Sequence, residues 1–289
     1  MTTFDPYADI ADYADYWQRL RASHALHPGN RFRYWLIARQ LQRAGVRFST
    51  VLDCGCGDGS LLALMRDRFS PERTCGIDIN SRNVELLRSL DPRSEFHCAD
   101  LGAALEKPPW PAAELVLCCE VIEHIREDDV AIRNLAKLVA PGGHLVLTTQ
   151  SGKIRRTERF LGHLRHYQPE DLRKRLEGVG FDILECTVWG WPLLDFQKIL
   201  AERFFGQVQQ HVISARRPSR IVRAAFFALF HGYKMCAFGR GPQIFILARG
   251  RVDAGSTRAA AAGGAPRLSV GAADSEPRAP RSADPCGQP

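Results

Sequence analysis

The sequence has no apolar run approaching the roughly 20 residues that a membrane-spanning helix needs, although 45% of its 289 residues are hydrophobic. A membrane-spanning helix is therefore not expected. The N-terminal stretch MTTFDPYADIADYADYW is acidic and lacks the apolar core of a secretory leader, which makes a cytoplasmic protein the expectation. The nine cysteines are odd in number and scattered, and no pair has the spacing of a zinc ribbon. Cys54 and Cys56 are one residue apart and Cys118 and Cys119 are adjacent, so buried, reduced thiols are expected rather than metal knuckles or disulfide staples. No internal repeat recurs at a fixed period.

What is present is unevenly placed. Residues 1–150 carry 17 basic and 20 acidic side chains (net −3), residues 151–250 carry 17 and 8 (+9), and the remainder carries 5 and 4 (+1). The basic character belongs to the second half, where it could steer an anionic substrate, a nucleic acid or a membrane surface, or simply be a solvated face. Periodicity predicts helix over roughly 8–45, then short apolar strands near 49–53, 73–78, 94–99, 114–119, 144–149, 181–188 and 243–249, separated by helical stretches. That alternation predicts an α/β fold, a mostly parallel sheet with helices on both faces. Three regions are expected: an N-terminal helical lid over 1–48, a main domain over 49–250, and a tail over 251–289. The tail is rich in Ala, Gly, Pro and Ser and is expected to be disordered. Within the main domain, 189–242 is too long for a simple connection and should form a cap of its own.

The stretch VLDCGCGDGS, 51–60, is the densest local signal. Val51 and Leu52 read as the end of a strand. Gly55, Gly57 and Gly59 then permit tight turns and close ligand approach before SLLALMRDRF opens a helix. The next strand ends in GIDIN, which puts Asp78 19 residues beyond Gly59, where a carboxylate can hold ribose hydroxyls. A third strand ends in FHCAD with Asp100, and a fourth, ELVLCCEVIEHI, places Glu120 at the same sheet edge. A nicotinamide enzyme would usually show G-x-G-x-x-G, with the third glycine one place later than Gly59.

Together VLDCGCGDG, GIDIN, CADL, CCEVIEHI and LAKLVAPGGHLVLTT resemble the class I S-adenosylmethionine-dependent methyltransferases, in order and spacing, over about 27–188 and again 243–249. The resemblance implies a Rossmann-like sheet of seven strands, mostly parallel, with a reversed last strand supplied by QIFILAR and a helical cap insertion. It also implies S-adenosyl-L-methionine as cofactor. By that resemblance the loop of Gly55, Cys56, Gly57 and Gly59 runs past the methionine moiety and Asp53 orients loop and amino group. Asp78, followed by Ile79, holds the ribose, Asp100, followed by Leu101, meets the adenine, and Glu120 closes the site.

Methyl transfer from a sulfonium is an in-line displacement, so positioning dominates, and a base is needed only when the acceptor must lose a proton. His124, just after the fourth strand, is the candidate base, with Glu120 beside it; packing of the next helix would explain His124 equally well. Glu120, Glu123 and His124 also form a Glu-x-x-Glu-His similar to one that can hold a divalent metal in ubiquinone-pathway O-methyltransferases and in terminal 2′-O-methyltransferases of small RNAs, with His163 or His166 as a further ligand. No metal is the preferred expectation. HLRHYQPEDL, 163–172, resembles the stretch that borders the acceptor pocket in ubiquinone/menaquinone-type enzymes, which nominates Arg165, His166 and Tyr167, and Tyr34 of the lid joins them. Pro169 with Glu170 and Asp171 reads as a helix start.

The expected function is methylation, at oxygen first, of a small lipophilic or aromatic metabolite, in the manner of the ubiquinone/menaquinone-biosynthesis-like group. Two other readings stand beside it: a metal-assisted RNA ribose 2′-O-methyltransferase, favoured by the basic second half but lacking an RNA-binding motif, and a non-catalytic cofactor-binding partner subunit. A small-molecule acceptor and no nucleic acid are expected as partners. The Trp, Phe and Arg content of 189–242 adds peripheral membrane contact or a homodimer interface.

Overall fold

The computed structural model describes residues 24, 26–105, 108, 110–207 and 219–252. The helical pattern before residue 24 and the tail beyond 252 lie outside the described residues.

Along the chain come α1 (Pro28–Arg43), β1 (Thr50–Cys54), α2 (Ser60–Phe69), β2 (Arg73–Asp78), α3 (Ser81–Leu90), β3 (Glu95–Cys98) and β4 (Ala113–Cys119). A 3-10 turn, Ile122–His124, leads to α4 (Asp128–Leu138), β5 (Val139–Gln150), α5 (Arg156–Phe160), α6 (Pro169–Gly178) and β6 (Phe181–Trp191). The chain then runs through α7 (Leu193–Arg203), α8 (Arg220–Tyr233), β7 (Ala237–Phe238) and β8 (Gln243–Gly250). The local starts follow from the residues: Asn80 caps α3 by accepting the Asn83 amide at 2.9 Å, and α6 opens on Pro169 with Glu170 and Asp171 in its first turn.

The sheet order is β3-β2-β1-β4-β5-β8-β6-β7. Strands β1 to β5 pair in parallel, and β8 runs antiparallel to both β5 and β6. The expected seven-stranded frame with a reversed last strand is therefore present, and the two-residue β7, too short to carry a periodic signal, adds an eighth at the edge. Strand β6 also runs on to Trp191, so the cap starts later than residue 189.

Each face of the sheet has its own core. Phe32, Leu36, Ile37 and Leu41 of α1 pack with Leu62 and Met65 of α2 and Val51, Leu115 and Val146 of the strands. On the opposite face Ile132, Leu135 and Leu138 of α4 and Leu172 and Leu176 of α6 cover Leu52, Val116 and Leu147. Burial of each such side chain is worth about 1.5–3 kcal/mol, so both faces are held shut. The strand order diverges either side of β1 and β4, which opens a crevice at their C-terminal ends. No described helix is long and apolar enough to cross a membrane.

Candidate active site

The loop after β1 is folded onto the end of β2. Gly55 and Cys56 donate their amides to the Ile77 carbonyl at 2.8 and 2.9 Å, and the Gly57 amide donates to Asp78 Oδ2 at 3.0 Å. Gly55, Gly57 and Gly59 have φ of 73°, 51° and 72°. A Cβ on Gly55 would sit 2.5 Å from a Val121 methyl, so this turn is closed to any side chain. Asp78 is fixed further by the Asn80 amide at 3.0 Å, and Asn83 Nδ2 donates to the Gly57 carbonyl at 2.7 Å.

Three carboxylates are buried here: Asp53 (2% exposed), Asp58 (4%) and Asp78 (7%). Burial, then the charges of Asp58 and Asp78, push Asp53 well above the usual carboxylate range, and burial raises Asp78. Asp58 goes the other way: burial opposes its ionisation, but His24 Nδ1, 3.0 Å from Oδ2, and the Ser60 amide outweigh it. A crevice with this surplus of buried carboxylate suits a cationic ligand, and the sulfonium and ammonium of S-adenosylmethionine supply two positive charges. Tyr34, on α1, faces this group; burial and the nearby Asp58 raise its phenol well above the ordinary value.

The other expected cradle residues divide. Ile79 is 61% exposed beside the cradle, and Asp100 is exposed, with Oδ1 accepting the Gly102 amide at 2.7 Å. Cys56 and Leu101 are both 5% exposed, with their side chains packed into the two cores.

Across the crevice, Glu120 has φ 57° and donates its amide to the Thr148 carbonyl at 2.8 Å, turning the chain sharply out of β4. Its carboxylate accepts from Thr148 Oγ1 (3.2 Å), Gln150 Nε2 (3.1 Å) and Gln243 Nε2 (3.3 Å), and pairs with Arg33 of α1 at 3.4 Å. Burial opposes its charge, but Arg33, His163 and the Gln150 donor outweigh it and hold the carboxyl pKa below the usual value. Glu123 is fully buried; Thr149 Oγ1 donates to its Oε2 at 2.8 Å, and Oε1 has no partner. Burial and the Glu120 charge push its carboxyl up to about 8.

His124 Nδ1 is buried without a partner, and burial lowers the imidazole's basicity against the pull of Glu120. The ring meets that of His163 edge-on at 4.7 Å, and His163 Nδ1 lies 3.2 Å from His166 Nε2. Burial and the neighbouring His124 push His163 down to about 3. One ligand atom each from Glu123, His124 and His163 lies within 4.8 Å of the other two. Of the residues that the Glu-x-x-Glu-His comparison nominates for a metal, Glu123, His124 and His163 converge, while Glu120 bonds Gln150 and Gln243 and pairs with Arg33.

One expected acceptor contact, Tyr167, is corrected by its surroundings, while a second, Arg165, is held in an ion pair with its side chain one-third exposed. Tyr167 is 6% exposed, and its hydroxyl donates to Asp128 Oδ2 at 2.8 Å and lies 3.0 Å from the Ile122 carbonyl. Arg165 pairs with Asp128 and donates to the Arg126 carbonyl. Both anchor the turn that carries His124. His166, by contrast, stays with the histidine group, with Glu158 3.7 Å away. Lys198 of α7 enters the same network, donating to Glu158 at 2.8 Å and to Gln150. It lies far along the chain in a segment read as a cap, so only tertiary structure reveals it.

The profile of a family described as "Methyltransferase domain" matches residues 29–186, more than half of the chain. The chain belongs to this family of S-adenosylmethionine-dependent methyltransferases. A ubiquinone biosynthesis O-methyltransferase from Alkalilimnicola ehrlichii is 31% identical over 137 residues, which cover 46% of this chain and 54% of that protein. The chain spans about half the length of the curated relatives it matches. Among solved structures, a putative methyltransferase from Haloferax volcanii in complex with the Trm112 activator superposes with a TM-score of 0.53 at 14% identity, covering 83% of this chain and 98% of that one. The cyclase SpnF gives 0.52 at 22% identity, covering 76% and 81%. These likenesses concern the fold, which evidently carries more than one reaction.

Proposed function

We propose that the domain transfers the methyl group of S-adenosylmethionine to a hydroxyl oxygen of a small, lipophilic or aromatic metabolite held between the cradle and His124. The observation that carries this reading is the buried, unpartnered His124 Nδ1, whose imidazole stays neutral because burial disfavours its cation. When bound, S-adenosylmethionine supplies an electrophilic methyl carbon and leaves as S-adenosylhomocysteine. Asp78, held by two backbone amides, presents its carboxylate to the ribose hydroxyls, Asp100 meets the adenine amine, and Asp53 and Glu120 receive the cationic end. Tyr34 and Arg33 close the crevice from above. With S-adenosylmethionine bound, its methyl would be the electrophile offered to the acceptor oxygen, and His124 Nδ1 would take the hydroxyl proton. Positioning of this kind supplies roughly 7–11 kcal/mol. The similarity to O-methyltransferases of ubiquinone biosynthesis supports oxygen as the target. The test is release of S-adenosylhomocysteine with a panel of phenols, catechols and amines: turnover on amines alone would overturn the oxygen assignment.

A second reading is favoured by the convergence of Glu123, His124 and His163. The unpartnered Glu123 Oε1 and His124 Nδ1 form an oxygen-and-imidazole donor set suited to a divalent cation. Such an ion would keep Glu123 ionised and polarise the acceptor hydroxyl, which would put catechols and RNA ribose forward as acceptors. Calorimetric titration of chelator-stripped protein with magnesium or manganese decides between the two. Absence of binding with full turnover retains His124 as an unassisted base.

A further inference from the structure

The two described helices of the cap segment leave an unusual surface. The inner side of α8 packs on α1: Phe226 meets His27 with ring centres 5.8 Å apart, Tyr233 meets Phe32 at 5.9 Å, and Phe230 lies under the Arg31 guanidinium (4.9 Å) and the Lys234 ammonium (4.7 Å). The rest of α8 faces water, although it offers Ile221, 83% exposed, and Phe227, 55% exposed. The neighbouring α7, joined to α8 where Tyr233 bonds Gln197, exposes Phe196 and Ile199, and Met235 stands bare just beyond α8. Single exposed apolar residues are ordinary, but this concentration in one segment marks a surface that something covers.

The charge around it identifies the occupant. Residues 189–242 contain eight Lys and Arg against two Asp and Glu, and α8 itself has Arg220 and Arg223 and no acid. Between α1 and α8 lies a cleft of about 250 Å³ lined by Leu26, Arg31, Arg223, Ala224, Phe226 and Phe227. Two arginines lining an otherwise apolar cleft complement a phosphate joined to hydrocarbon. With 14 residues, α8 is too short to span a bilayer and suited to lying in its interface.

We propose that α8 docks the chain on the surface of an anionic phospholipid membrane. Arg31 and Arg223 take headgroup phosphates, while Ile221 and Phe227 enter the acyl boundary. This docking holds whatever atom the enzyme methylates. It has a consequence for the site, because α1, which α8 grips, also carries Arg33 and Tyr34 over the crevice. A membrane-dissolved acceptor would then reach the crevice from beside the docked helix.

Sedimentation of the full chain with vesicles tests the proposal, using phosphatidylcholine alone or mixed with phosphatidylglycerol. The wild type should sediment with the mixed vesicles only, and less so as salt screens the arginines. Ile221→Asp with Phe227→Asp, and separately Arg31→Glu with Arg223→Glu, should each weaken binding by about tenfold or more. Unchanged S-adenosylhomocysteine affinity in calorimetry would show that each variant is folded. The proposal is overturned if the wild type stays in the supernatant, or if both variants sediment like it. It is also overturned if light scattering finds a dimer that the apolar variant dissolves, since a second copy would then be the occupant.

Discussion

The donor and acceptor sides of the crevice are finished differently. On the donor side the loop amides of Gly55, Cys56, Gly57 and Ser60 all have partners within the chain, and Asn83 holds the Gly57 carbonyl. On the acceptor side, polar atoms are left over. Nine buried side-chain polar atoms lack a hydrogen-bond partner among the described residues, and five of them belong to Arg33, Glu123, His124, His166 and Gln243. Each of these five residues bonds or couples electrostatically to Glu120. An unsatisfied buried polar atom costs about 1–3 kcal/mol, so such a concentration is sustained only where a ligand, ion or water completes it. On the proposed function, the donor side is shaped by the chain for one fixed cofactor, and the acceptor side is completed by what binds.

The contrast breaks most visibly at His124. His124→Ala should lower turnover about 10²–10⁴-fold while leaving S-adenosylhomocysteine affinity at the wild-type value; full turnover on the true acceptor would remove its role as base. Asp78→Ala should do the reverse, weakening S-adenosylhomocysteine about 10- to 100-fold in calorimetry, as expected for loss of charge-assisted bonds to ligand and loop. Unchanged affinity would displace the ribose from Asp78. Tyr167→Phe should act on neither side: it removes the hydroxyl bonded to Asp128, so the melting temperature should fall with a stability loss of about 1–3 kcal/mol while turnover per folded molecule is kept. A selective rise in acceptor KM would instead return Tyr167 to the pocket.

The same divide explains what the sequence discloses. The donor side is local: three glycines and two aspartates within nine residues, then one carboxylate at the end of each following strand, so motif spacing translates directly into a crevice at parallel strand ends. The acceptor side is assembled across the fold. His163 joins Glu123 and His124 because the Leu164 amide donates to the Glu123 carbonyl at 2.9 Å, a contact between residues 41 positions apart that periodicity does not encode. Tyr167 misled for a related reason. Its position in a pocket-bordering motif is visible in the sequence, whereas the Asp128 carboxylate that claims its hydroxyl comes from the start of α4, 39 residues earlier. Lys198 was hidden altogether, since a lysine on a cap helix looks like any solvated cation until Glu158 and Gln150 are seen to hold it.

The gentlest probe of the comparison follows a single proton. Glu123 has an ordinary carboxyl value of 4.5 when exposed and about 8 in the fold. Below 4.5 folded and unfolded chains both hold the proton, and above 8 both have released it. Between these values the folded state binds more proton than the unfolded one, so Glu123 makes stability fall as pH rises through this window. Subtracting the pH profile of Glu123→Gln, whose side chain does not titrate, from that of the wild type should isolate this decline. A flat difference would mean that Glu123 is already ionised in the fold. Repeating the subtraction with magnesium sharpens the test, because a cation bound by Glu123, His124 and His163 would stabilise the carboxylate and flatten the decline. A decline unaffected by magnesium would leave the acceptor side as a set of neutral bases awaiting a hydroxyl.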